Sequence, residues 1–193
     1  MGQGHFTGRQ SEIQKMVKIL RTNSDSQGSI REILVLGGMG GIGKTQLAIS
    51  YAKQYRSSYS SIFWLNASSE VTITASLRSL AKQIIPAETV RKLKDDQLQL
   101  HASHWLSEQE NMRWLLIFDN YDDPDQYDIK AYYPAATHGS IIITTRQPRR
   151  LSGCQLKVES MKRVEDSLQI LASRSGRNYA TSGKDVSLEG ASD

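Results

Sequence analysis

The segment Gly38-Met39-Gly40-Gly41-Ile42-Gly43-Lys44-Thr45 sets four glycines ahead of a lysine and a threonine. Glycines let a backbone curl tightly and turn successive N–H groups inward as a nest for an anion. A helix expected to begin at Lys44 adds the positive end of its dipole. Lys44 then reaches the β and γ phosphates of a nucleotide, and the Thr45 hydroxyl can ligate Mg²⁺. The spacing Gly38-x4-Gly43-Lys44-Thr45 is the P-loop pattern. Phosphate contacts are therefore expected from Gly38, Gly40, Gly41, Ile42, Gly43, Lys44, Thr45 and Gln46. The competing reading is a plain Gly-rich turn, and the flanking strand and helix patterns decide against it.

Two later positions complete the chemistry. Leu115-Leu116-Ile117-Phe118 leads into Asp119, an acid at the end of an apolar run. A carboxylate at the C-terminal end of a parallel strand sits in the crevice where α/β sheets bind ligands, and there it can hold Mg²⁺ opposite Thr45. By itself an Asp in that position only starts a turn; the P-loop upstream favours the functional role. Ser140 to Thr145 is a second apolar strand, and it runs into Arg146, placed to sense or neutralise a γ-phosphate. The candidate catalytic set is Lys44, Asp119 and Arg146, with Thr45 and Asp119 as metal ligands. Asn120 follows Asp119 where many P-loop ATPases place a glutamate. An amide orients water but does not take its proton, and Asp122 or Asp123 stands too far along the chain to replace a base at the strand end. Slow or negligible hydrolysis is the expectation.

The elements around these residues alternate. Ser11, with Gln14 three positions on, reads as the capping box of a helix whose face is Ile13, Met16, Val17 and Leu20. A polar linker from Thr22 to Ser29 precedes the apolar strand Ile33–Leu36. After the glycine loop, Leu47, Ala48, Tyr51, Ala52 and Tyr55 keep helical spacing, and Ser61–Asn66 is a second strand. Helices are expected over 70–85 and 96–109, divided by Pro86, then strands at 113–119, 140–145 and 155–159. A last helix carries Met161, Val164, Leu168 and Leu171 on one face. Alternating strands and helices make an α/β fold: a three-layer P-loop NTPase with a mainly parallel five-stranded sheet flanked by helices. Residues 1–173 form the nucleotide-binding domain, and 174–193 read as a polar tail, the truncated start of a following helical subdomain.

Composition narrows the class. The 193 residues are 38% hydrophobic and 23% charged, the mix of a globular domain. The longest apolar runs, such as Trp114–Phe118, fall far short of the ~18 residues of a membrane span. No charged-then-apolar pattern stands at Met1, and the single Cys154 excludes an internal disulfide, so a reducing, cytoplasmic setting rather than secretion is expected. A net charge of +4 is too small a surplus to point to nucleic acid. The charges are nonetheless clustered: residues 119–129 hold five Asp and no base, and 146–163 hold six Lys or Arg against Glu159 alone. Such neighbouring clusters suit a metal-bearing polyphosphate. His5, His101, His104 and His138 lack metal-ligand spacing. Cys154 and the three Trp residues read as packed positions, and Arg149 and Arg150 as a solvated turn.

The ordered motifs support a family. His5-Phe6-Thr7-Gly8-Arg9, GGMGGIGKTQLA, FWLNA, WLLIFDNYDD and GSIIITTR recur in the order of an NB-ARC module, the STAND-class P-loop ATPase of NLR-like signalling proteins. The chain resembles this family over roughly residues 5–172 and is most similar to versions in filamentous fungi. The resemblance implies that the strand ending at Arg146 lies between the P-loop strand and the Asp119 strand. It implies ATP/ADP exchange as a switch, adenine contacts from the backbone of Gly8 and Arg9, Mg²⁺ at Asp119, and Arg146 as the sensor. It also implies self-association of a full-length form, with the fragment itself monomeric. The family's helical and winged-helix subdomains normally follow with a Gly-x-Pro motif and a phosphate-contacting His. Here the last proline is Pro148 and no His follows His138.

Two further readings compete with a signalling switch. A small-molecule P-loop kinase would use Arg146, Arg149 and Arg150 as lid arginines, but no acceptor-site chemistry is evident between the second and third strands. A DNA-dependent ATPase would want more basic surface than +4 supplies.

Overall fold

A computed structural model of the chain describes residues 9–21 and 31–160. Gly8 and the residues before it, the linker at Thr22–Ser29, the helix expected from Met161 and the tail at 174–193 lie outside the described residues. In chain order the elements are α1 (Gln10–Arg21), β1 (Glu32–Gly37), α2 (Lys44–Gln54), β2 (Ser61–Asn66), α3 (Glu70–Ile84), α4 (Ala87–Val90), α5 (Asp95–Ser107), β3 (Trp114–Asp119), β4 (Ser140–Thr145) and β5 (Cys154–Lys157).

The five strands form one sheet in the order β2-β3-β4-β1-β5, and every pairing is parallel. Parallel neighbours require crossovers that cover both faces, so the inner strands must be apolar throughout rather than alternating. WLLIFD and SIIITT meet that demand: every residue of β4 is buried, as is all of β3 but Asp119. Period two then sorts the strand residues between two cores. Val35, Leu116, Phe118, Ile141 and Ile143 pack on the α3 and α5 side with Ile73, Leu77 and Leu106. Leu34, Leu36, Leu115, Ile117 and Ile142 face α1 and α2, against Met16, Leu47 and Tyr51. The result is the expected three layers, with the strand that ends at Arg146 between the P-loop strand and the Asp119 strand.

Several boundaries differ from the sequence reading. Ser11 does not cap α1; the helix starts at Gln10, the Arg9 carbonyl accepts from the Ile13 N–H at 3.1 Å, and the Ser11 hydroxyl donates to Glu12. The capping box belongs instead to α3, where Ser69 and Thr72 exchange side-chain and backbone hydrogen bonds. The one-turn helix α4 after Pro86 has no apolar periodicity to announce it. β5 spans Cys154–Lys157 rather than 155–159 and lies at the sheet edge, paired only with β1. For that reason Cys154 is exposed rather than packed. Trp64, on the other edge strand β2, is 39% exposed, whereas Trp114 on a central strand is fully buried.

Candidate functional site

The site is assembled where β1, β4 and β3 end. Gly37 lies opposite Thr145 in the parallel register, so the loop leaving β1 and the residues leaving β4 emerge side by side. Gly38 N–H donates to the Thr145 carbonyl at 3.3 Å. A Cβ on Gly38 would come within 2.6 Å of the Val158 carbonyl oxygen, so only glycine fits between the two strand ends. Farther along the loop, Gly41 and Gly43 take φ of 73° and 95°, the left-handed region in which a side chain is strained. Gly43 delivers the chain into α2, whose first turn contains no acid and whose N-terminus has no side-chain cap. Unsatisfied N–H groups at a helix start attract an anion. They border a cleft of roughly 260 Å³ formed by the loop from Gly40 to Gln46 and, across it, Asn120, Asp122, Thr144 and Arg146.

Lys44 is buried at the floor of this loop, and its ammonium donates to the carbonyls of Gly38 at 2.8 Å and Met39 at 2.9 Å. Burial pulls its pKa below the ordinary lysine value, and Arg146 adds to that; Asp122 and Asp119 oppose it. A buried cation whose partners are neutral carbonyls is an incomplete arrangement, and a phosphate would supply the missing charge.

Thr45 faces Asp119 directly: its hydroxyl donates to Asp119 Oδ1 at 2.8 Å, and the Thr144 hydroxyl donates to the same oxygen at 2.6 Å. The Thr144 oxygen in turn accepts the Asn120 N–H at 2.8 Å. These bonds fix the carboxylate at the mouth of the loop. A hydroxyl and a carboxylate are oxygen ligands of the kind Mg²⁺ takes, so Thr45 and Asp119 are the residues that would hold one. Among the described residues there is no group of three His, Cys, Asp or Glu side chains that could hold a metal, so an ion here would also need oxygens from phosphate or water. Asn120 holds φ of 69°, a conformation that asparagine tolerates better than most residues.

Arg146 leaves β4 and crosses back over the loop. A Cβ placed on Gly40 would lie 3.2 Å from both Cζ and Nη2 of Arg146, so the guanidinium rests over the bare Cα of Gly40. Asp122 holds it there: Oδ1 accepts the Arg146 backbone N–H at 2.8 Å and Oδ2 pairs with Nε at 2.8 Å. Beside it, Arg150 pairs with both carboxylate oxygens of Asp125, at 3.0 and 2.7 Å.

Arg9 is almost fully buried, and its role differs from a backbone contact to a base alone. Nη2 donates to the Ile42 carbonyl at 2.7 Å and the Glu159 carbonyl at 3.1 Å, and Nη1 meets Glu12 at 3.4 Å. Its side chain thereby ties the start of α1 to the phosphate loop and to the segment after β5.

Of the residues singled out in the sequence, the fold brings Gly40 to Gln46 and Arg146 to one cleft, with Asp119 bonded to Thr45 and the Gly38 carbonyl to Lys44 behind it, and Gly8 lies outside the described residues. Sequence reasoning missed Thr144 and the clamping role of Asp122, because both depend on the register of β4 against β3 and on the path of the chain leaving them. Among the described residues the histidines gather at no metal site: His138 is buried with Nε2 3.1 Å from the Leu106 carbonyl, and exposed His104 pairs with Glu108. No helix among the described residues is long and apolar enough to cross a membrane.

Comparisons with known proteins agree with this geometry. The NB-ARC domain family matches residues 9–178. A nucleotide-binding leucine-rich repeat (NLR)-like protein of Hyaloscypha variabilis is 28% identical over 186 residues, which cover 86% of this chain but only 18% of that protein. Among solved structures, Cdc6p from Pyrobaculum aerophilum superposes with a TM-score of 0.60 at 15% identity, covering 87% of this chain and 49% of its own. The ORC2 protein of Aeropyrum pernix gives 0.56 at 17% identity, covering 87% and 52%. These two likenesses establish the fold alone. The family match establishes more: the chain belongs to the NB-ARC family.

Proposed function

We propose that this NB-ARC domain binds ATP and ADP with Mg²⁺ in the cleft above Lys44, and that it stores the nucleotide as a STAND-type switch rather than turning it over. The observation that carries the reading is convergence. An uncapped helix start, a buried lysine held only by carbonyls, the Thr45–Asp119 pair and the Arg146 guanidinium all border one cleft. Lys44 and the loop N–H groups from Gly38 to Gln46 would hold the phosphates, and Thr45 and Asp119 would hold the magnesium. That metal would neutralise phosphate charge there. Arg146 would report the γ-phosphate. The Arg9 segment, with Gly8, would border the base. The ORC2 structure that shares this fold is described as ADPNP–ADP complexes, which supports a nucleotide as the ligand.

Storage rather than turnover is supported by what the carboxylates are doing. Both oxygens of Asp122 are engaged by Arg146, and those of Asp123 accept the Asp125 N–H and the Gln126 amide. The position that follows the strand acid is Asn120, which has no basic group to take a proton from water. Arg150, a lid arginine in the kinase reading, is paired with Asp125, so that reading gains nothing.

The domain at 1–173, with the start of a helical subdomain at 174–193, would be one part of a longer cytoplasmic protein of NLR-like type, active in innate immunity or programmed cell death. The chain spans only 18% of the curated relative it matches. Self-association would belong to that longer form, and the domain alone would be monomeric. Titration with ATP–Mg²⁺ and ADP–Mg²⁺ together with steady-state turnover tests the reading. Saturable binding with turnover far below 1 s⁻¹ is expected, while turnover above about 1 s⁻¹, typical of working phosphoryl-transfer enzymes, would contradict storage.

A further inference from the structure

Arg146 has two sets of donors, and the structure assigns them to different partners. Its Nε is taken by Asp122 Oδ2, and its backbone N–H by Asp122 Oδ1. Over Gly40 the nearest guanidinium atoms are Cζ and Nη2, with Nε slightly farther off, and Arg146 lines the phosphate cleft. Asp122 does not depend on Arg146 for its own place. The Tyr121 N–H donates to the Thr144 carbonyl at 2.9 Å, the Asn120 N–H to the Thr144 hydroxyl, and Gln147 Nε2 to the Asp122 carbonyl at 3.1 Å. Two bonds to Thr144 in β4 and one from Gln147 beyond it therefore fix the segment that carries the carboxylate. Arg146 is the opposite case, with a side chain 62% exposed. A long exposed side chain without an anchor spreads over many rotamers, and ordering it costs binding free energy when a ligand arrives.

We propose that Asp122 is a positioning residue for terminal-phosphate recognition: it grips Arg146 by the Nε edge and so presents Nη2, over Gly40, to the γ-phosphate. The inference rests on the nucleotide reading given above. It assigns Asp122 a task other than base or metal ligand, and it makes the preference for ATP over ADP depend on a residue that need not touch either nucleotide. A carboxylate suits the task because it offers two acceptors for the two Arg146 donors. An amide of the same shape has one acceptor and turns an N–H against the other donor.

The test compares the unaltered chain with Asp122→Asn, Asp122→Ala, Arg146→Ala and the double variant Asp122→Asn/Arg146→Ala. Kd for ATP–Mg²⁺ and ADP–Mg²⁺ is measured for each by calorimetry, and the Arg146 Nε–H resonance is followed by nitrogen NMR without nucleotide. Asp122→Asn should lower the ATP-to-ADP affinity ratio about tenfold, the size of one charge-assisted hydrogen bond, with little change in ADP affinity. The double variant should lose no more than Arg146→Ala alone, since both changes remove one interaction. The Nε–H signal should be protected from exchange in the unaltered protein and lose that protection in Asp122→Asn.

An unchanged ratio in Asp122→Asn overturns the proposal. So does a raised ratio, which would make Asp122 a competitor of the phosphate, and so do equal affinities in the unaltered chain or an equal weakening of both nucleotides. An Nε–H that stays protected in Asp122→Asn also overturns it. Failure of the unaltered chain to bind either nucleotide would remove the nucleotide reading and this inference together. Binding with the ratio preserved in Asp122→Asn would remove the inference alone.

Discussion

At the scale of single residues, the site is built from neighbours that constrain each other's identity. A Cβ on Gly40 would press against the Arg146 guanidinium, 3.2 Å away. Gly40→Ala should therefore push Arg146 aside, weaken ATP more than ADP, and leave thermal stability nearly unchanged, since a flexible side chain gives way; paired Kd and melting measurements check this. Asn120 poses the opposite restriction. At φ of 69°, replacing it by the glutamate of working ATPases should cost about 1–2 kcal/mol of stability and still give no fast turnover. Lys44 adds a pH dependence. Its pKa in the free protein is below that of an exposed lysine, chiefly through burial, and phosphate binding needs the charged form. As pH rises through that lowered value the free protein loses the proton, binding must recover it, and ATP affinity should fall earlier than an ordinary lysine dictates. Lys44→Arg should move any such fall upward, because a guanidinium stays charged. At this scale the glycine loop was legible because its chemistry is local in sequence. The Asp122 clamp was not: Asp122 and Arg146 are 24 positions apart, and only the pairing of β3 with β4 puts them together.

Elements show where local pattern is enough and where it is overruled. The inner strands were readable from unbroken apolar runs, because a parallel strand covered on both faces tolerates nothing else. Edge strands carry weaker rules, and there the reading of packed side chains failed at Cys154 on β5 and at Trp64 on β2. The two tryptophans should separate in denaturation experiments. Trp114→Ala on β3 should cost roughly 3–5 kcal/mol, as for a fully buried aromatic that also donates to the Leu106 carbonyl at 2.7 Å. Trp64→Ala, at 39% exposure, should cost well under half of that. The start of α1 was misread for another physical reason. Ser11 offered a capping hydroxyl, but the backbone at Arg9 serves as the cap, beside a side chain buried against the Ile42 and Glu159 carbonyls. Ser69→Ala, by contrast, removes a real capping box at α3 and should lower stability by about 1 kcal/mol in urea unfolding.

For the molecule as a whole, alternation of strands and helices was sufficient to give the layers but not the strand order. Only the place of β4 between β1 and β3 followed from resemblance to a family; the edge places of β2 and β5 come from the structure, since no pattern within a strand states its neighbour. That order matters to function: it sets the ends of β1, β4 and β3 side by side, and with them the lysine, the strand acid and the arginine. The central claim is that this arrangement retains a nucleotide. The most direct measurement is to denature freshly purified protein and identify what it releases by chromatography, with Lys44→Ala purified in parallel. The account expects near-stoichiometric ADP or ATP from the unaltered chain and an empty Lys44→Ala variant. A folded, empty chain that also fails to take up added ATP–Mg²⁺ would contradict it.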